Sequence, residues 1–506
     1  MYVIGLDVGT SGVKSTVFGE NAQIVSHARR EYDLLCGAPG QYELDPEVLL
    51  QKSVEALRES VAAVNGKEVR AICITSFGES FVCMDKDDRV LANTMIYMDR
   101  RGTQEIPEFL ELADADEIYK TSGQFVDPMF GVYKLLWMQK HKPQLMERVR
   151  RISFIADFVA YKLGAEHTCD YSLAARSALF NIRKKTWWAG AMTHVGLRAD
   201  ILPQTVPSGS VTGTLNRKSA DILGMDTSVK LIIGGHDQIL AACGGGAFKP
   251  GDLVNGMGTV DCMTPILDIN SVDTEKLMHF KLPLVPYLHT GAYVTYAISV
   301  SGGCIIKWFR DVLAKDVAGL STAAYDILGT EAPEEPTSLL AIPYFAGGAT
   351  PDMDDKTPAT ITGLRLGTTR GEIFRALMEG EAYEMRRCVD CLIDAGVDIR
   401  KITAVGGGAN SSVWMQLRAD IFERKLYTAR NKEAGTLASA LLCYANIGVY
   451  RDIREAQEHL VEIESVHLPE QKNSAAYVKK RKEYHRFYEA VKGGQPSYFP
   501  AGDAVI

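Results

Sequence analysis

The sequence has no long apolar run. Nothing in it reaches the ~18–20 residues needed to span a bilayer, so no transmembrane helix and no membrane partner is expected. It has no basic block either. Lys plus Arg number 55 against 63 Asp plus Glu, a net charge of −8. A mildly acidic chain is a poor partner for nucleic acid, so an anionic ligand must be held by local positive charge, metal or backbone amides. The ten cysteines follow no regular spacing, as in a reducing cytosol, and a cytoplasmic location is expected. Cys388 and Cys391 stand as C-x-x-C in a helical stretch with no second pair. Zinc needs four ligands, so these two are expected only to pack. The first strand begins at residue 2, and no signal peptide is expected. Two nucleotide fingerprints are missing as well: the Gly-x-x-x-x-Gly-Lys-Ser/Thr P-loop and the Gly-x-Gly-x-x-Gly dinucleotide turn. What remains is a 506-residue chain, 46% apolar. That is long enough for two large domains or about three smaller ones, with sizeable cores.

What is present begins with Tyr2 to Phe18, YVIGLDVGTSGVKSTVF. An apolar run ends on Asp7, a Gly-Thr-Ser-Gly turn follows, and a second strand restarts through Lys14. Glycine permits the tight turn and lets backbone N–H groups approach a ligand. With Thr10 and Ser11 the turn is an anion cradle. A carboxylate beside a polyphosphate needs a cation between them, so Asp7 reads as a magnesium anchor acting through water. Lys14 adds positive charge on the same side. The plainer reading is a hairpin with a solvated tip.

Further along, Asp45 and Pro46 start a helix whose buried face is expected at Leu50, Val54, Leu57 and Val61. The strand Val69 to Thr75 runs into Ser76-Phe77-Gly78-Glu79-Ser80, and an apolar run ends on Asp99-Arg100-Arg101. These clusters suggest a pocket rim; the plainer readings are a solvated turn and a structural ion pair. Residues 127–141 read as a loop entering a helix, Val149 to Leu163 as another helix, and 170–181 as a possible site wall. The strand Leu231 to Ile233 enters Gly234-Gly235-His236-Asp237. A domain boundary is placed at the glycines and the Lys249-Pro250-Gly251 that follow, giving domains 1–246 and 247–450 and a helical tail 451–506. The second half opens on Asn255-Gly256-Met257-Gly258-Thr259, an echo of the first turn, and a third such turn is Gly406-Gly407-Gly408-Ala409. With Gly234-Gly235 these make four glycine turns after strands, spread over both halves, and they are hard to explain as chance loops.

At this point the chain resembles the FGGY carbohydrate kinases, a family including xylulokinase, gluconokinase and glycerol kinase within the sugar kinase, Hsp70 and actin superfamily. The resemblance covers essentially the whole length. It is carried by Lys134-Leu135-Leu136-Trp137-Met138 with His141, by Ile361-Thr362-Gly363-Leu364 continuing to Glu372 and Ala376–Glu379, and by Gly406–Ala409 with Gln416, Ala419 and Asp420. Gly131 and Leu377 depart from the family signatures conservatively. The resemblance implies an α/β architecture of two ribonuclease H-like (actin-like ATPase) domains with a hinged cleft between them. It implies an ATP-dependent kinase with ATP and Mg2+ as cofactors and a small-molecule sugar or polyol as partner. It also implies a homodimer, as the family is often dimeric.

Position by position, the resemblance implies Asp237 as catalytic base and Asp7 as the magnesium residue. Thr10, Ser11, Lys14, Gly258, Thr259, Gly303, Ile306, Gly407, Gly408, Ala409 and Ser412 fall around the nucleotide. Gly78, Glu79, Asp99, Arg101 and Asp237 fall around the acceptor, with Tyr97 standing where the family has tryptophan. Independently of the family, a carboxylate at a strand end that starts a helix can act as a rigid proton acceptor or simply as a helix cap. His236 is read as a packing residue. Glu79 disfavours an anionic acceptor by repulsion, and Phe77 and Met129 lower the pocket's polarity. The expected acceptor is a neutral ketopentose, xylulose-like, with a polyol, a deoxy-ketose or gluconate as alternatives. An expectation of another class is a non-catalytic nucleotide switch such as actin.

Overall fold

The opening apolar run forms the middle of a sheet on which a whole unit is built. The computed structural model describes residues 1–493 apart from 290, 321 and 355. Its internal contacts divide the chain into two units. The first holds Met1–Gly244, Pro283–Val294 and Glu433–Val461; the second holds Gly245–Leu282, Thr295–Lys432 and the chain from Glu462 on.

In the first unit six strands make one sheet: β1 (Tyr2–Val8), β2 (Gly12–Phe18), β3 (Ile24–Glu31), β4 (Val69–Ser76), β5 (Val211–Thr214) and β6 (Lys230–His236). Their order is β5-β6-β4-β1-β2-β3, with β1, β4 and β6 parallel. Ile4, Leu6, Ile72, Ile74, Leu231 and Ile232 are fully buried, as expected of parallel strands covered on both faces. Helix α1 (Pro46–Val61) starts where the sequence places it, with Asp45 accepting from the N–H groups of Glu47 and Val48. Its buried face keeps the expected Leu57 and Val61 but adds Leu49, Ser53, Ala56 and Ser60, while Leu50 and Val54 are half-buried. Small hydroxyl residues let the helix sit close to β2, and Ser60 Oγ lies 2.7 Å from Ser15 Oγ. Helix α2 is Gly131–His141. The helix expected over 149–163 is instead a strand and a helix. Arg151–Phe154 pairs with Phe81–Met84, and only then does α3 (Ile155–Leu163) begin. Helices α4 (Tyr171–Ala175) and α5 (Asp237–Gly244) complete this part.

The second unit repeats the device with β7 (Gly251–Met257), β8 (Asp261–Asp268), β9 (Ala297–Ser299), α6 (Gly303–Leu313), α7 (Arg370–Asp394), β10 (Ile399–Val405), α8 (Ser412–Phe422) and β11 (Leu426–Ala429). Strand β8 pairs antiparallel with β7 and β9, while β7, β10 and β11 run parallel. The chain then returns to the first unit as α9 (Ala434–Asn446) and α10 (Ile453–Leu460). It ends in the second unit as β12 (Ile463–His467), antiparallel to β11, and α11 (Gln471–Gly493).

Helix α9 packs on β1 and α5. A Cβ at Gly5 would stand 2.8 Å from the Thr436 carbonyl, and one at Gly244 would stand 1.8 Å from the Ala434 carbonyl. The expected divisions at 246 and 450 therefore become interleaved segments, because a small apolar helix encoded late covers the first sheet. The tail is not purely helical, since β12 interrupts it. Among the described residues no helix is long and apolar enough to cross a membrane. Cys388 and Cys391 lie within α7 as free thiols.

Candidate active site

The functional candidates of the first unit gather at one edge of its sheet. Register sets Asp7 of β1 beside Thr75 of β4, and Thr75 beside Gly235 of β6. Val8, Ser76 and His236 close the three strands. The turns that follow share the carboxyl edge, the ligand-binding side of parallel sheets. Asp237 opens α5 two residues beyond Gly235, so the two acids singled out in the sequence belong to the same row of chain ends.

In the first hairpin Asp7 faces Lys14 across the β1–β2 pair, and Gly9 N–H closes the turn on the Gly12 carbonyl at 2.9 Å. Tyr32 donates from its hydroxyl to the Gly9 carbonyl. Thr10 is half-buried and Ser11 exposed at the tip. Lys14 Nζ lies 2.9 Å from Glu433 Oε2, just ahead of α9. Oδ1 of Asp7 is buried and accepts no hydrogen bond among the described residues. Burial pushes the Asp7 carboxyl up to about 6, against the pull of Lys14 and with Glu433 adding to the rise. A buried carboxylate oxygen without a donor, beside an amide-lined turn, fits a hydrated magnesium ion.

Asp237 keeps 31% of its side chain accessible. Surrounding protein raises its carboxyl to about 8, with the charges of Asp7 and Glu79 contributing next and Gln238 opposing. His236 is buried and donates its N–H to Ser172 Oγ at 2.9 Å; its Nε2 lies 3.5 Å from Asp237 Oδ1. Burial, then the charge of Arg176, holds its imidazole well below the usual histidine range, so it stands neutral beside Asp237.

Glu79 is buried at φ 62°, a left-handed backbone that a non-glycine residue adopts only when its surroundings hold it there. Its carboxylate is gripped by Nε and Nη2 of Arg176, and its carbonyl accepts from Lys134 Nζ at 3.0 Å. Arg176 also donates to Gln124 Oε1 at 3.0 Å and lies 5.0 Å over the Phe130 ring. A Cβ on Gly78 would meet Arg176 Cγ and His236 Cδ2, each at 3.0 Å. The repulsion expected from Glu79 is thus corrected: its charge is matched by a buried guanidinium from the end of α4. Nothing in the sequence points to this pairing, because Arg176 lies 97 residues from Glu79.

Tyr97 is 38% exposed. Burial raises its phenol, and the charges of Glu79 and Asp237 add to the rise.

Asp99 and Arg101 turn out to be the plainer reading. Asp99 is wholly buried, its oxygens taken by Arg101 and the Tyr42 N–H. Arg101 reaches Glu43 Oε1 at 2.6 Å and covers the Trp137 ring at 4.8 Å. Where acceptor contacts are expected, the two residues form an ion pair that Glu43 joins.

The second unit puts its two glycine turns on adjacent strand ends, since Gly256 of β7 pairs with Val405 of β10. Gly258 and Thr259 are exposed. Their carbonyls accept from the N–H groups of Gly303 and Cys304 at 2.9 and 3.1 Å, so α6 braces the turn. A Cβ at Gly303 would lie 2.6 Å from the Gly258 carbonyl. Ile306 is 6% exposed and belongs to the core, leaving it little surface for a nucleotide. In the other turn Gly406 adopts φ 84°. Gly407 has nothing within 4 Å of its would-be Cβ, while one on Gly408 would touch Met257 Cβ at 2.9 Å. Ala409 is buried and Ser412 exposed at the start of α8. Fully buried Arg418 of α8 donates to Asp261, Glu381 and Asn255, pinning α8 and α7 to the β7–β8 hairpin.

Family models agree with this geometry. The N-terminal domain of the FGGY family of carbohydrate kinases matches residues 2–244, and its C-terminal domain matches 283–447. The chain is 27% identical to a xylulose kinase of Bacillus subtilis over 94% of each chain. It is 26% identical to a gluconokinase of Bacillus licheniformis over 87% of this chain and 86% of that one. Its fold matches that of a ligand-bound xylulose kinase from Lactobacillus acidophilus with a TM-score of 0.88 at 24% identity, covering 97% and 99% of the two chains. The match to the family's two carbohydrate-kinase domain models over most of the length favours the kinase over the non-catalytic switch. The chain belongs to the FGGY family of carbohydrate kinases, ATP-dependent phosphotransferases that act on sugar hydroxyls.

Proposed function

We propose that this kinase phosphorylates a neutral ketose, with a xylulose-like ketopentose as the favoured acceptor. A polyol, a deoxy-ketose and gluconate are the alternatives. The observation that carries the proposal is the shared strand-end row: Asp7 in β1 and Asp237 just past β6, with Glu79 after the strand between them. Asp237 accepts the proton of the attacking hydroxyl. Phosphoryl transfer through a loose transition state asks for positioning and charge neutralisation more than for a strong nucleophile, so the proton leaves late and a rigid carboxylate suffices. Neutral His236 adds no charge of its own beside that carboxylate. Asp7 would hold magnesium, which supplies charge neutralisation to the phosphates. Within the first unit, Thr10, Ser11 and Lys14 are the proposed phosphate-turn residues. Within the second, taken by itself, Gly258, Thr259 and Gly303 are the proposed phosphate-turn residues and Gly407, Gly408, Ala409 and Ser412 the proposed adenosine residues. Gly78, Glu79 and Tyr97 would face the acceptor. A reducing cytosol fits the ten free cysteines, and a homodimer is proposed from the family resemblance alone.

The test is a coupled ADP-release assay over ketopentoses, deoxyhexuloses, polyols and gluconate. Turnover with a neutral ketose that disappears in Asp237→Ala is the expected result. ATP hydrolysis indifferent to every acceptor would overturn the proposal.

A further inference from the structure

The acceptor candidates hold one charge pair that the reaction chemistry does not use. Glu79 and Arg176 are each 5% exposed by side chain. The guanidinium is held from three sides: by Glu79, by the Gln124 amide oxygen and by the Phe130 ring. Lys134, the other nearby cation, is fully buried and turned onto the Glu79 carbonyl. Asp99 is matched by Arg101. The cations around Glu79 are therefore already engaged by protein groups. A carboxylate on the acceptor would have to be desolvated without a counter-ion of its own, and that is costly in a low-dielectric site. Hydroxyls, by contrast, can donate to a carboxylate whose charge is balanced and whose orientation is fixed by a two-point guanidinium contact.

We propose that Arg176 is the residue that sets the charge class of the acceptor. Paired with Glu79, it balances that carboxylate while being itself taken up by it, and so selects uncharged polyhydroxylated molecules. Arg176 is thus a positioning residue acting through Glu79. The inference rests on the reading of Glu79 as part of the acceptor site.

It makes an asymmetric forecast. Glu79→Gln leaves the guanidinium without its anion, turning the site toward acceptors that bring one. Arg176→Gln leaves a buried bare carboxylate and harms every acceptor, an anionic one most.

The experiment measures kcat/KM for the wild type's best ketose and for gluconate in the full-length wild type, Glu79→Gln, Arg176→Gln and Arg176→Lys. KM for ATP and thermal midpoints are recorded alongside. Glu79→Gln is expected to raise the gluconate-to-ketose ratio by about tenfold or more, one mismatched charge contact being worth about that factor or more. Arg176→Gln is expected to lower the ratio while raising KM for the ketose, with KM for ATP unchanged. Arg176→Lys keeps the charge but loses the fork. It should hold the wild-type ratio at reduced kcat/KM, which keeps the question open to test if either glutamine variant fails to fold. A ratio within about threefold of wild type in every folded glutamine variant overturns the inference, as does a shifted ratio in Arg176→Lys. Wild-type enzyme that turns over no sugar would instead sink the functional reading beneath it.

Discussion

Asp237 carries the proton, and burial together with the charges of Asp7 and Glu79 raises its carboxyl. Replacing it by Asn keeps shape and removes the base, so kcat should fall by about 10²–10⁴-fold while KM for the acceptor moves little; steady-state kinetics on both substrates checks this. The elevated carboxyl also fixes a pH dependence. Only the ionised form accepts a proton, so kcat/KM for the acceptor should climb as pH rises and level off above about 8. The same group tilts stability. A carboxyl raised from 3.8 to about 8 by folding favours the folded state below pH ~4, and that advantage is lost as pH rises through 8. Asp237→Asn should therefore flatten this part of a melting-temperature curve against pH. Of these residues, the acids and turns were legible in the sequence because each is announced by its own strand end and glycines. Arg176 was not, because its partner is set by tertiary packing and no local pattern records it. Asp99 and Arg101 misled for the opposite reason: two residues apart, they looked like a rim and are a closed pair.

At the scale of elements, α7 and α8 offer contrasting tests. Thr369 and Glu372 form a capping box at the exposed start of α7, so Thr369→Ala should cost about 1 kcal/mol in urea or thermal unfolding. Arg418→Met removes the cation that pairs with two buried carboxylates, Asp261 and Glu381. It should cost about 3–5 kcal/mol and raise KM for ATP, because the β7–β8 turn loses its anchor to α8. Helix starts such as Asp45-Pro46 could be read directly, since capping is local chemistry. The face that α1 buries could not. Periodicity favours the larger Leu50 and Val54, whereas close packing on β2 selects Ser53 and Ser60. Residues 149–163 read as one helix because a short buried strand and a buried helix have the same apolar composition.

For the whole molecule, the doubling of a strand-turn-strand device was visible in the sequence, but the ownership of segments was not. Helix α9 is small and apolar wherever it packs, and nothing in its composition names the sheet it covers. A fragment of residues 1–246 therefore lacks the lid of its own sheet. It should aggregate or bind a hydrophobic dye, and a peptide of residues 433–461 supplied in trans should reduce that binding. A fragment that melts cooperatively alone would contradict this.

The interleaving also orders events at the ribosome. The first unit is interrupted after Gly244 and is not rejoined in bulk until Glu433. At about 5–20 residues per second, the exposed face of the first sheet waits roughly 10–40 s for its helix while most of its neighbour is being translated. Neither unit is complete when its own first stretch is made: the first closes only with the segment ending at Val461, and the second only after it, when β12 and α11 arrive.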